Sequence, residues 1–586
     1  MRRNDIVFFN LHRKYLNVNP RYDAFNGIYT LAAFLNENGY NAQGYAGELN
    51  NGKRWLDEIC SNNKTSAIGL YCDYENVTEN IFLSSYIKNT YRLPVFVGGP
   101  QATALNEDFI IASKCDAVVR YEGELTVLEL LHYFLDDVGD LSNIQGIVYK
   151  NENGIFQNTE RAPIENLDAL PFINDECRLI PDYDNDILSI MTGRGCPFNC
   201  AFCHEGQHSK RVRLRSIENV LAEIEQFLLN RTEKSTAYIY FTDDTFTLNL
   251  ERVKELCAGL QKLRKIKDFR WFCEGHIHTI YLHPEMLTYM VKAGMKRIQL
   301  GIESGTQKVL NAYRKGSTKE EIEFVVKKCV EAGVEQIFGN IILSGAFFDR
   351  DVFENEKQFA KELLEIAPGR IELGVVSYWP LPNTSITNNP DYYGIEIVDK
   401  EFITSVGDFP QIKTKIYDRL DIATMMLELE IFISETMKKI IKSGKLSTDM
   451  IISWFPSNIG YKSAGQWYYQ LQTMPNVYNY YMLLNNEEAY EKEALKDFDY
   501  YELHPMRTVP LYKNMILKGN GIIEVFGVLL NAFEQDVLIY ATGKLSINEI
   551  LKQLSKLWTE ENNLSGKLEA CLCKLEKNYL VVYSKF

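Results

Sequence analysis

The sequence predicts an α/β protein: a doubly wound parallel sheet, then a partial (β/α)6 barrel, then a mostly helical region ending in a winged-helix-like module. Three observations carry this. Short apolar runs without polar alternation recur through residues 1–150 and again through 185–385, each followed by a helical pattern. Such strands belong to parallel sheets covered on both faces. Runs stop at strand-end signals such as Gly98-Gly99-Pro100. The length of 586 residues, at about 150 per domain, accommodates three to four domains, and 46% apolar residues supply their cores.

In residues 1–143 the apolar runs are Asp5–Asn10, Ala67–Tyr71, Pro94–Val97 and Asp116–Val119, with helical spacing over Ile28–Asn38 and Leu125–Phe134. The Asn38-Gly39 pair is a helix-stop signal. In sheets of this kind ligands bind beyond the carboxyl ends of the strands, which is where Gly98-Gly99 falls. Residues 144–184 read as a hairpin (Gly146–Tyr149 and Gly154–Phe156) and a linker, Asn166–Pro171. Residues 185–390 repeat the strand–helix theme. Strands are expected at Ile187–Met191, Ala237–Phe241, Arg270–Cys273, Arg297–Leu300, Gln336–Ile342 and Ile371–Val376, with helices at 216–230, 250–264, 284–293, 318–332 and 350–366. The active face of such a barrel is the carboxyl end of its strands. Residues 391–514 begin helical (Ile422–Ser443) and become Tyr-rich. Residues 515–586 form a separate module, with helices Ile547–Leu557 and Leu568–Leu575 before the apolar stretch Tyr579–Tyr583.

Lys and Arg number 63 against 78 Asp and Glu, for a net charge of −15. That balance repels phosphate backbones, so nucleic acid is not an expected partner. The mean hydropathy is −0.22 and no apolar run reaches the roughly 18 residues of a membrane span. The N-terminal apolar segment is too short for a signal-peptide core. The expectation is a cytoplasmic protein without a membrane partner. Its twelve cysteines then read as buried fillers or metal ligands rather than disulfides.

Three cysteines stand apart: Cys196, Cys200 and Cys203, at i, i+4 and i+7 in CPFNCAFC. Three thiolates on one loop can hold three corners of a 4Fe-4S cluster and leave one iron open. The alternative is zinc, with His204 or His208 as fourth ligand, though zinc loops usually carry two separated ligand pairs. Pro197 and Asn199 make the segment a loop, which disfavours unligated core cysteines.

This loop resembles that of the radical S-adenosylmethionine (SAM) superfamily. The resemblance implies a 4Fe-4S cluster on Cys196, Cys200 and Cys203, SAM chelated to the open iron, and cleavage of SAM to a 5′-deoxyadenosyl radical with an electron from an external donor. Phe202 matches the aromatic residue that the family places against SAM. Thr192–Gly195 and Arg213–Ser216 resemble the family's flanks. The resemblance implies that Asp243 or Asp244, in Phe241–Phe246, receives the SAM ammonium, and that Glu303 and Ser304, in Gly301–Gly305, lie near its ribose and carboxylate. Taken alone, Asp243-Asp244 also reads as a helix cap and Glu303 as an ordinary strand-end carboxylate. Pro380–Thr384 looks like a family motif with Asn383 where Gly is usual, and Ser344–Phe348 is a poor copy of a Gly-Pro-Gly-Glu turn. His276 and His278 stand where relatives often have Arg and Asp. Two apart on a strand, they are expected to point the same way, either as a satisfied core pair or as substrate or proton-transfer groups.

Residues 1–150 resemble the cobalamin-binding domain that precedes the barrel in one large subfamily, on Val97–Thr103 and Val119–Glu124. This implies cobalamin-binding roles for Gly98, Gly99, Pro100, Gln101, Glu122 and Gly123. No Asp-x-His-x-x-Gly signature occurs, so no histidine from that motif ligates cobalt. Residues 515–586 faintly resemble PqqD-type winged helices, which bind leader peptides by strand addition. The whole resemblance implies a cobalamin-dependent radical SAM enzyme that C-methylates an unactivated carbon of a small-molecule or peptide substrate. The alternatives are a cyclase, ring-contraction or rearrangement enzyme with the same cofactors, and a non-catalytic cluster-binding protein.

Overall fold

The structure, a computed structural model, describes residues 3–12, 26–180, 187–204, 211–230, 237–405, 409–446, 448, 451, 474–485, 488–510 and 515–585. His208 lies outside them. The chain forms two compact units, residues 1–360 with 374–428, and residues 361–373 with 429–586.

The first unit opens with strands β1 (Asn4–His12), β2 (Ala42–Glu48), β3 (Thr65–Tyr71), β4 (Val95–Gly98), β5 (Ala117–Val119), β6 (Ile147–Asn151) and β7 (Gly154–Gln157). They form one sheet in the order β2-β1-β3-β4-β5-β6-β7. β1 to β5 are parallel, and the β6–β7 hairpin adds antiparallel. Alternate residues of β1 face opposite ways. Val7, Phe9 and Leu11 pack among residues of helices Leu49–Ser61, Val77–Thr90 and Glu107–Ser113. Ile6 and Phe8 pack among residues of helices Asn26–Glu37 and Glu124–Asp136. This is the doubly wound arrangement, and its strand order reverses between β1 and β3, where such sheets open a ligand crevice.

The second sheet runs β15-β14-β13-β12-β11-β8, an open six-stranded partial barrel. Its strands are β8 (Ile187–Ile190), β11 (Ala237–Phe241), β12 (Phe269–Gly275), β13 (Met295–Glu303), β14 (Gln336–Leu343) and β15 (Ile371–Ser377). Pairing from β8 through β14 is parallel. Two short strands, β9 (Gly193–Arg194) and β10 (Arg213–Leu214), pair antiparallel on either side of the cysteine loop. Caps fix the helix bounds. Ser216 caps Ile217–Leu229, Thr318 and Glu321 form a reciprocal box on Lys319–Ala332, and Gly333 closes that helix in the left-handed conformation.

One local expectation is overturned. β12 ends at Gly275, His276 caps the helix Ile277–Leu282, and His278 lies inside that helix. The histidines therefore do not share a strand face.

In the second unit, β18 (His504–Arg507) pairs with β22 (Val581–Ser584), and β19 (Met515–Gly519), β20 (Ile522–Val525) and β21 (Val528–Leu530) form a small antiparallel sheet. Helices Ala532–Tyr540, Ile547–Leu557 and Leu564–Lys577 pack with them around Val525, Phe533, Val537, Leu554 and Leu572. Leu495, Leu503 and Val509 share this core. Among the described residues no helix is long and apolar enough to cross a membrane.

Candidate active site

The cysteine loop leaves the carboxyl end of β8. Its backbone is tied on two sides: Ala201 N donates to Tyr313 O (2.8 Å) and Ile386 N donates to Ala201 O (3.2 Å). Phe198 lies flat on His276, with centroids 3.7 Å apart and planes 7° apart. Phe202 meets Tyr313 edge-on at 5.2 Å. None of the cysteines is in a disulfide; Cys200 is buried, and Cys196 and Cys203 are half-buried. Among the described residues no three acidic, His or Cys side chains converge on a single ion. A multi-iron cluster does not need that convergence, because each thiolate binds a different iron. The donor set fits such a cluster: three thiols outside any disulfide, on one loop at the barrel mouth. The zinc alternative loses His204, whose ring nitrogens face Pro100 O (3.1 Å) and Pro382 O (3.4 Å). Asn383 stands at φ +64°, a left-handed position that Asn tolerates in place of Gly.

Asp243 and Asp244 divide their work. Asp243 is buried, accepting from Thr192 N (3.0 Å) and Thr192 Oγ1 (2.7 Å), and burial pushes its carboxyl up to about 6. It fixes the strand end that launches the loop and does not line the cavity. Asp244 faces the cavity, accepts from the Gly195 amide, and is raised by burial. At the next strand end Glu274 is pushed up to about 7, first by burial and then by Asp244. These carboxylates favour a cationic ligand.

Glu303 ends β13 in the left-handed conformation (φ +62°), and its Oε1 accepts from Lys315 Nζ at 2.9 Å. Ser304 is fully buried, and its hydroxyl donates to Glu356 Oε1 (2.5 Å). Gly305 N donates to Glu356 Oε2 (2.7 Å) and Thr306 Oγ1 to Oε1 (3.0 Å). Ser304 thus shapes this loop from behind, held by Glu356, a residue that no sequence motif flagged. Neither Lys315 nor Glu356 belongs to a contiguous motif: they lie 12 and 52 residues from the groups they hold.

A cavity of about 750 Å³ joins the two sheets' carboxyl ends. Its walls include Tyr71, Gly98, Gly99, Pro100, Glu122 and Gly123 from the first sheet, and Met191, Arg194, Gly195 and Asp244 from the second. Gln101 is not on the wall: it is buried and its amide donates to Phe402 O (3.1 Å). Gly99 stands at φ +107°, and a Cβ there would lie 2.4 Å from Cys72 O, so glycine is required by backbone packing. Glu122 binds Arg213 (2.6 Å), Arg194 (3.5 Å) and the Ile164 amide (2.7 Å), and Glu124 binds Arg194 (2.6 Å). Burial works against the Glu122 charge, but Arg213 and Arg194 hold its carboxyl below the usual range. The Glu122-Gly123-Glu124 turn therefore clamps the first sheet to residues on both sides of the cysteine loop. His276 is buried, and burial followed by the Lys315 charge lowers it to about 3, against a backbone hydrogen bond at Lys315 that works the other way. His278 is 42% exposed, with Nδ1 3.1 Å from Glu321.

Residues 190–354 match the model of the radical SAM superfamily. An uncharacterized methyltransferase, PH0819, of Pyrococcus horikoshii is 32% identical over 49% of this chain and 60% of its own length. The anaerobic magnesium-protoporphyrin IX monomethyl ester cyclase of Cereibacter sphaeroides is 23% identical over 41% of this chain and 40% of its own. The chain thus spans about 40 to 60% of these relatives' lengths. The hopanoid C-3 methylase of Methylococcus capsulatus is 22% identical over 65% of this chain and 67% of its own. Among solved structures, OxsB, a cobalamin-dependent S-adenosylmethionine radical enzyme, superposes with a TM-score of 0.59 at 16% identity, over 98% of this chain and 82% of its own. The radical SAM methyltransferase TsrM of Kitasatospora setae gives 0.56 at 15% identity, over 67% of this chain and 78% of its own. These likenesses agree with the predicted α/β architecture.

Proposed function

We propose that this chain, built around a radical SAM domain, is a cobalamin-dependent radical SAM enzyme that transfers a methyl group to an unactivated substrate carbon. The observation that carries this reading is a cavity lined both by the crevice of the doubly wound sheet (Gly98, Gly99, Glu122) and by residues flanking the cysteine loop (Arg194, Gly195, Arg213). When bound, the cluster supplies the electron that cleaves SAM, and the corrinoid carries the methyl group. The chain's residues hold and orient these groups. Cys196, Cys200 and Cys203 hold the cluster. Asp244, open to the cavity and backed by the Gly195 amide, receives a cationic ammonium. Asp243 and Glu356 keep Thr192 and the Ser304–Thr306 turn in place behind it. Gly98, Gly99 and Gly123 leave bare backbone on the corrinoid wall.

Product stoichiometry tests the reading. S-adenosylhomocysteine formed together with 5′-deoxyadenosine supports methyl transfer. 5′-Deoxyadenosine alone supports the second reading, a cyclisation or rearrangement, which the similarity to the Cereibacter cyclase favours. A peptide substrate is supported by β19, an edge strand whose residues are all exposed and begin Met515-Ile516-Leu517, since such an edge accepts an added strand.

A further inference from the structure

Lys315 is the cation at the centre of the carboxylate group. Its side chain is 10% exposed, and its Nζ lies 2.9 Å from Glu303 Oε1 and 5.7 Å from the centre of the Phe202 ring. The ammonium fits because Gly301 has no side chain: a Cβ there would lie 2.1 Å from Nζ. A lysine is buried charged only where anions compensate its lost hydration. Glu303 supplies one anion, and the cysteine loop supplies more once its sulfurs bind a cluster as thiolates. Burial opposes the charge on Lys315, yet Glu303 and Cys200 hold it above the ordinary lysine range.

We infer that Lys315 is the buried counter-cation of the cysteine loop, a positioning residue whose ammonium, seated over Gly301 and held by Glu303, raises the reduction potential of a cluster bound by Cys196, Cys200 and Cys203. The inference rests on the reading of that loop as a cluster site. Each added electron makes the thiolate-ligated cluster more negative. A fixed cation held against Phe202 of the loop that carries its thiolates stabilises the reduced form more than the oxidised one. Cation–π contact with Phe202 and the bond to Glu303 keep that cation from turning away.

The test is a redox titration of the anaerobically reconstituted full-length chain, followed by electron paramagnetic resonance, with iron content measured in parallel. Lys315→Met keeps the volume and removes the charge, and Gly301→Ala keeps the lysine and displaces its ammonium. Both are expected to load iron as the wild type does and to reduce at a more negative potential. Glu303→Gln is expected to reduce at a less negative potential, and it decides the matter if the other two variants fail to load. Unchanged potentials in iron-replete variants overturn the inference. A wild-type chain that takes up no cluster fails one step earlier, at the reading of the cysteine loop, and takes the inference with it.

Discussion

His276 lies flat against Phe198, a residue of the cysteine loop, with 3.7 Å between ring centroids. The imidazole is buried and lowered to about 3. The unfolded chain therefore binds a proton at this residue between pH 6.5 and 3 while the folded chain does not, and stability is lost as pH falls through that window. His276→Phe keeps a flat ring on Phe198 and removes the titration. It is expected to recover about 1–2 kcal/mol at pH 5 relative to pH 7. Urea unfolding at both values checks this, and a loss equal to that of the wild type contradicts it.

Glu274 works in the opposite sense. Its carboxyl is raised from 4.5 to about 7, so the folded chain holds a proton that the unfolded chain has released between those values. Stability from this group falls as pH rises from 4.5 to 7. Glu274→Gln is expected to stabilise the ligand-free protein at pH 8 by on the order of 1–3 kcal/mol and to weaken SAM binding. Denaturation curves and equilibrium dialysis with SAM read the two effects separately.

Glu356 accepts from Ser304, Gly305 and Thr306 at once. Glu356→Ala strands two buried donors, Ser304 Oγ and Gly305 N, each costing about 1–3 kcal/mol, and the half-buried Thr306 hydroxyl. The expected outcome is a loss of several kcal/mol in stability together with loss of SAM binding. Glu356→Gln retains acceptor capacity and is expected to be milder on both measures.

Gly99→Ala places a methyl group 2.4 Å from Cys72 O at a positive φ. It is expected to destabilise the first sheet by at least about 1–2 kcal/mol and to lower corrinoid uptake while leaving iron content near that of the wild type. Equal loss of iron and corrinoid contradicts the separate placement of these sites.

The sequence carries its local information clearly. Ala237–Phe241 and Ile547–Leu557 form at the expected residues because apolar runs and caps are encoded within them. β2 carries no strand signal of its own, because AQGYAGE has neither a β-branched run nor strong apolarity; β1 builds it by pairing, with Phe8 opposite Gly44. The cysteine loop and the Asp243-Asp244 and Glu303-Ser304 pairs are contiguous motifs and were legible. The roles within them were not. Ser304 turns toward Glu356, Gln101 toward Phe402, and Asp243 toward Thr192, in each case through a partner distant in sequence. His276 and His278 separated because Gly275 ends the strand and the following helix starts at once.

One chain is expected to load both a cluster on its cysteine loop and a corrinoid in the adjoining crevice. The most direct measurement is the iron, corrinoid and UV–visible content of protein produced without oxygen and supplied with cobalamin, iron and sulfide, beside Cys200→Ala treated identically. The predicted result is about four irons and near-stoichiometric corrinoid in the wild type, with iron lost and corrinoid retained in the variant. Iron without corrinoid in the wild type, or full iron in Cys200→Ala, would contradict the account.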